Sequence, residues 1–239
     1  MMMDAVPDPA LDVADLVPGS VEYIRSHFLT IDALAERTGV APGLIGSYIE
    51  HRCIPRHSYA IVTCSSINSF FGRAGSGPVE VRFYAPSHTR WIAETVRQSG
   101  GNSLLAIAQE RRRWFCREYC AEIERTAPDL IPRDQLDAHL ASEFEGWLDG
   151  TYGLCTVTAT ARDIARKELS ILRIRALTQD GARAALSSSE RSALGEAVRL
   201  LDQVSAPFAP HERARSSREK WIRRIAQRYQ LPLPQSQAG

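Results

Sequence analysis

Apolar residues recur every three to four positions over most of this chain and alternate with polar ones over only a short stretch. The helical period holds across six segments, roughly 87–98, 102–126, 132–148, 162–177, 189–204 and 210–229. Each can turn one apolar stripe toward a core, so six helices are predicted there. Glycine and proline punctuate nearly every gap between them. Residues 20–55 read as shorter helices. Thr30 is placed to cap a helix over 31–38, Gly39 to end it, and Pro42 to open another running to His51. Two β-rich runs, 58–65 and 79–84, flank a Gly/Ser loop over 72–78, which predicts a hairpin. The fold class is mainly α with a small β-hairpin. A helix-turn-helix-like module with its hairpin (20–85) is fused to a helical body (86–230), between loose tails at 1–19 and 231–239.

Composition narrows the picture modestly. With 239 residues the chain can bury an adequate core, and its net charge of +1 gives no bulk attraction to nucleic acid or membrane. No apolar run approaches a bilayer-spanning length, and the acidic, proline-bearing start lacks the pattern of a secretory signal. Five cysteines without a framework fit reduced thiols, hence a cytoplasmic location. Cys116 and Cys120 share a helical face, but no zinc-ligand spacing accompanies them; His51, Cys53 and His57 would meet only through a loop. No metal and no cofactor are expected. The glycine-rich 72–77 lacks the Lys-Ser/Thr of a phosphate loop. Cys155, in a glycine turn, reads as a structural thiol before a nucleophile.

Three charged clusters remain as candidate chemistry. The segment F-A-P-H-E-R-A-R-S-S-R (208–218) gathers His211, Glu212, Arg213, Arg215, Ser216, Ser217 and Arg218. A helix opening at Pro210 would bring its donors together on an anion near the positive helix end. Glu143, Glu145 and Asp149 surround Trp147 and run into the turn Gly150–Thr151–Tyr152–Gly153, while Lys167 and Glu168 interrupt an amphipathic helix. Both sets read most simply as solvated faces; a carboxylate beside an aromatic and a glycine turn would also suit a substrate ammonium. From His211 to Tyr229, seven bases stand against two acids, a local +5. Arg223, Arg224 and Arg228 fall on the outward side of that segment, as a solvated face or as a dock for an acidic protein.

The stretch T-I-D-A-L-A-E-R-T-G-V-A-P-G-L-I-G-S-Y-I-E-H-R-C-I-P (30–55) resembles the helix-turn-helix of MerR-type regulators, with the hairpin as a wing. Its second helix, however, carries no Arg, Lys, Asn or Gln to read bases. Four arginines against eight acids up to Ala60 leave that end at −4, which repels a duplex. Over more of the chain, F-E-G-W-L-D-G-T-Y-G-L-C (144–155), Lys167–Glu168 and the 208–218 segment resemble a bacterial family found in natural-product biosynthesis, as do Y-I-R-S-H-F-L-T-I-D-A-L (23–34) and C-I-P-R-H-S-Y (53–59). Within that neighbourhood the chain is similar in kind to enzymes that close an aziridine ring by expelling sulfate in azinomycin- and vazabitide-type pathways.

The resemblance implies a cofactor-free tailoring enzyme or subunit, working with a second enzyme subunit. Its substrate would be an amino acid carried by an acidic amino-group carrier protein, which would dock on Arg223, Arg224 and Arg228. His211, Glu212 or Glu143 would act on the amine, and Arg213, Ser216, Ser217, Arg218, Tyr152 and Lys167 would hold the sulfated substrate. The alternatives are a MerR-like regulator and a non-catalytic partner subunit. Neither nucleic acid nor membrane is the favoured partner.

Overall fold

Local capping sets the first elements. In the computed structural model, which describes residues 18–75 and 77–232, α1 (Ser20–His27) is followed by α2 (Ile31–Thr38). The Thr30 side chain accepts from the Ala33 amide, and Gly39 at φ 69° ends α2 in the left-handed conformation. Pro42 occupies the first turn of α3 (Pro42–Glu50). The tails expected at 1–19 and 231–239 fall mostly outside the described residues. Leu231 is an exception: it packs on the second core cluster, its amide donating to the Ala226 carbonyl.

The hairpin is longer than the sequence pattern implied. β1 (Tyr59–Thr63) pairs antiparallel with β4 (Val79–Phe83), Tyr59 opposite Phe83 and Ile61 opposite Val81. Beyond it, β2 (Ser66–Ser69) pairs with β3 (Gly72–Gly75), so the first part of the predicted loop is a strand. The two ladders are separate two-stranded sheets, the first ending at the Thr63–Val79 pair and the second beginning at the Ser66–Gly75 pair. Phe70 and Phe71 form the exposed tip.

The body comprises α4 (His88–Ser99), α5 (Leu104–Thr126), α6 (Leu136–Leu148), α7 (Thr151–Cys155), α8 (Ala161–Thr178), α9 (Ser188–Val204) and α10 (Arg224–Tyr229). The architecture is mainly α with a small β-hairpin. One core joins module to body: Leu34, Ile45, Tyr48 and Ile54 pack with Trp91, Phe115, Phe144 and Trp147. Trp147 meets Trp91 edge-on at 5.5 Å and stacks on Phe144 at 5.7 Å. Truncating such a buried aromatic to alanine costs about 3–5 kcal/mol. Buried Arg111 joins the two parts by polar contacts, bonding Glu94 at 2.7 Å and the Cys53 carbonyl at 3.2 Å while its guanidinium lies 5.1 Å from the Trp91 ring.

The last predicted helix is broken. Pro210–Arg215 is a 3₁₀ turn, Ser216 is extended, a π-helical stretch covers Glu219–Arg223, and α10 completes the run. Ser216 explains the break, since its hydroxyl donates to the Arg213 carbonyl and accepts from the Glu219 amide, closing one turn and capping the next. Arg215 and Ser216 therefore do not lie in the first turns of a continuous helix begun at Pro210, as the anion-binding expectation required.

Candidate functional site

A sharp elbow between α6 and α7 organises the polar interior. Gly150 adopts φ 83°, and a Cβ there would lie 2.4 Å from the His57 carbonyl oxygen. Only glycine fits this combination of backbone conformation and close approach. Strand-entry residues clasp the elbow: the Arg56 amide donates to the Leu148 carbonyl at 2.7 Å and the Ser58 hydroxyl to the Gly150 carbonyl at 2.9 Å. One turn later, α7 directs Tyr152 back toward α6 and α8.

Glu143 of α6 accepts a hydrogen bond from the Tyr152 hydroxyl. The same phenol oxygen lies 3.4 Å from the Glu168 carboxylate, so two carboxyl groups meet on one hydroxyl. Lys167 bonds Glu168 at 2.7 Å, and its ammonium lies 5.6 Å from the centre of the Tyr152 ring. On the other side, His139 Nδ1 is 3.9 Å from Glu143, and its Nε2 pairs with the Tyr119 hydroxyl at 2.9 Å. Tyr119 is fully buried and its proton needs an acceptor, which places the imidazole proton on Nδ1, facing Glu143.

Burial controls the protonation of this cluster. It pushes the Glu143 carboxyl up to about 7, with the Glu168 charge adding to the effect and the Tyr152 bond and Lys167 opposing it. Burial also raises the Tyr152 and Tyr119 phenols well above the ordinary range and lowers His139. For Lys167, burial works against the charge but is outweighed by Cys155, Glu168 and Glu143, so this amine holds its proton more tightly than usual. The Cys155 thiol is driven up to about 11, chiefly by burial, and stays protonated at neutral pH. The result is one ion pair, Lys167–Glu168, beside one carboxyl poised between its two states.

Lys167 and Glu168 are thus not the solvated face that their place on α8 suggested. Lys167 is buried and Glu168 half-buried, both set against Tyr152 of α7. Glu143, Tyr152 and Lys167 come together, whereas the other six predicted site residues lie in the 208–218 segment. There Glu212 accepts from the Tyr59 hydroxyl at 2.6 Å, and the His211 amide donates to the Ser20 hydroxyl at 3.3 Å. Arg213 donates to the Phe208 carbonyl at 3.1 Å, and Ser216 caps the following turn. Arg218 is held by the Asp202 carboxylate and by the Ser205 carbonyl at 2.8 Å. Among the described residues, His211 Nδ1 and Ser217 Oγ are buried without a hydrogen-bond partner. Sequence reasoning missed Tyr119 and His139; the His139-x-x-x-Glu143 spacing, one helical turn, was the available signal. Among the described residues, no group of three histidine, cysteine or acidic side chains is arranged to hold a metal ion.

Fold and site together define a helical protein with a buried carboxylate–phenol–lysine centre. The chain belongs to a family of unknown function, DUF6058, whose model matches residues 111–230, half of its length. No curated protein and no solved structure matches it. Every member of the buried centre and the whole 208–218 segment lie inside the matched span, while the α1–α3 module and the hairpin precede it.

Proposed function

We propose that this protein is a cofactor-free acid–base enzyme, or the proton-transferring subunit of one, with Glu143 as the exchanging group. The observation that carries this reading is the meeting of Glu143 and Glu168 on the single hydroxyl of Tyr152, with Lys167 bonded to Glu168. A carboxyl near 7 gives or accepts a proton at neutral pH with little cost either way. When Glu143 is ionised, Tyr152 donates to it. When Glu143 is protonated, its own proton can turn to the phenol oxygen and the phenol proton to Glu168. Tyr152 is then a relay between Glu143 and the Lys167-paired Glu168. His139 and Glu168, with side chains 21% and 22% exposed, connect the centre to solvent.

The candidate reaction is intramolecular displacement of sulfate by an amine in a biosynthetic tailoring step. The C–N bond forms, the C–O bond to sulfate breaks with its electron pair leaving on the sulfate, and the ammonium proton passes to Glu143. Geometry supports the acid–base half, and the sequence resemblance supports the sulfate half. The exposed Arg223, Arg224 and Arg228 suit an acidic partner that brings the substrate.

Mass spectrometry of a sulfated β-amino alcohol derivative incubated with the full chain tests the reaction. Sulfate loss with ring closure should occur with wild type, follow an inflection near pH 7, and vanish in Glu143→Gln. Undiminished turnover in that variant sinks the role of Glu143. The succession of α2, α3 and paired strands favours a second reading, a winged regulator. A specific, salt-sensitive complex with its own promoter DNA, in a mobility-shift assay, would put that reading first.

A further inference from the structure

Away from the buried centre, α1, the start of α2 and one face of the β1–β4 ladder enclose a groove of about 430 Å³. That size lies within the range of small-molecule sites. Its apolar lining is Phe28, Leu29, Ala33, Ile61, Val81 and Phe83. The floor is rigid. Phe28 sits edge-on against Tyr59 at 4.8 Å, and Leu29 exchanges two backbone hydrogen bonds with Tyr84, at 2.8 and 2.9 Å. The wall is open, because Val81, directly opposite Ile61 in the ladder, is 38% exposed.

Part of the lining is chemically different. Among the described residues Arg25 is its single charged lining residue and makes no ion pair or hydrogen bond. Thr30, beside it, uses its oxygen to accept from the Ala33 amide, which leaves the hydroxyl proton free to donate. The Thr30 cap is also the positive end of α2. A guanidinium without a partner among the described residues, a spare hydroxyl donor and a helix start therefore line a largely apolar trough. A neutral apolar ligand would leave Arg25 unused, and an amphipathic cation would be repelled by it.

We propose that this groove binds an amphipathic carboxylate, an alkyl or aryl-alkyl acid whose chain lies on Phe28, Leu29 and Phe83 and whose carboxylate meets Arg25 and Thr30. The site is separate from Glu143 and stands whether or not the acid–base reading does.

Titration of the full-length protein with octanoate, 1-octanol and octylammonium, followed by two-dimensional amide NMR, tests it. Octanoate should saturate with shifts centred on Ala33, Ile61 and Val81 and bind more tightly than octanol, with octylammonium weakest. Arg25→Gln should weaken octanoate about tenfold, the loss of one partly exposed charge-assisted contact, and leave octanol unchanged. Val81→Trp should fill the groove and abolish binding of both, while an otherwise unchanged amide spectrum shows that the fold is intact. Equal affinity for octanoate and octylammonium would overturn the proposal. So would an octanoate affinity indifferent to Arg25→Gln, or shifts elsewhere on the surface.

Discussion

Replacing Glu143 with glutamine should make the protein more stable, and increasingly so as pH rises. In the unfolded chain this carboxyl ionises near its ordinary value of 4.5; in the folded protein burial holds it to about 7. Between those values the folded state keeps a proton that the unfolded state has lost. The sign follows from linkage: the Glu143 contribution to stability is greatest below pH 4.5, falls as pH rises toward 7, and stays low above it. At about 1.36 kcal/mol per factor of ten in proton affinity, the full loss is roughly 3 kcal/mol. The side chain is only 12% exposed, so solvent screening removes little of this. Glutamine keeps the shape and does not titrate. Urea unfolding of both proteins, read by tryptophan fluorescence at pH 5, 6, 7 and 8, should show the variant gaining roughly 2–3 kcal/mol on wild type from the lowest pH to the highest. A difference that stays flat across that range, or that shrinks as pH rises, would refute a buried carboxyl titrating near neutrality.

Gly150→Ala should cost about 3 kcal/mol or more in the same assay, since a backbone carbonyl stands where the new Cβ must go and the φ of 83° is strained for alanine. Because Gly150 also aims Tyr152, that variant should lose the inflection near pH 7 in any activity profile. Arg218→Ala should destabilise by about 2–4 kcal/mol by leaving the half-buried Asp202 carboxylate unpaired; a Tm equal to wild type would free Arg218 for a role in binding an anion. Reversing Arg223, Arg224 and Arg228 to glutamate should slow association with an acidic carrier protein and flatten its salt dependence, as measured by stopped-flow mixing, while sparing turnover of a carrier-free substrate. Association as fast as wild type at low salt would leave that face as solvated surface.

The chain's local chemistry was legible without coordinates. Thr30 and Gly39 bracket α2, Pro42 opens α3, and the helical period locates α4, α5, α6, α8 and α9 to within a few residues, because capping and amphipathic spacing act over neighbouring positions. Glu143 and Tyr152 stood out for the same reason, a carboxylate just ahead of a glycine turn. Other features depended on what packs against them. Lys167 and Glu168 carry the spacing of an exposed face, yet Lys167 is buried and Glu168 half-buried because Tyr152, delivered by the Gly150 elbow, packs against both. Tyr119 and His139 lie 20 residues apart, and only the α5–α6 packing brings them to a common hydrogen bond. Pro210 promised a continuous helix, but the hydroxyl of Ser216 closes one turn and caps the next. The groove beside Arg25 has no signature along the chain, since its floor and its open wall come from elements more than thirty residues apart. Sequence alone therefore located the capped helices α2 and α3 and most of the long body helices, whose ends are decided by adjacent residues. Tertiary structure decided which charges lose their water, and with it which carboxyl titrates near neutrality, because desolvation depends on distant segments closing over a site.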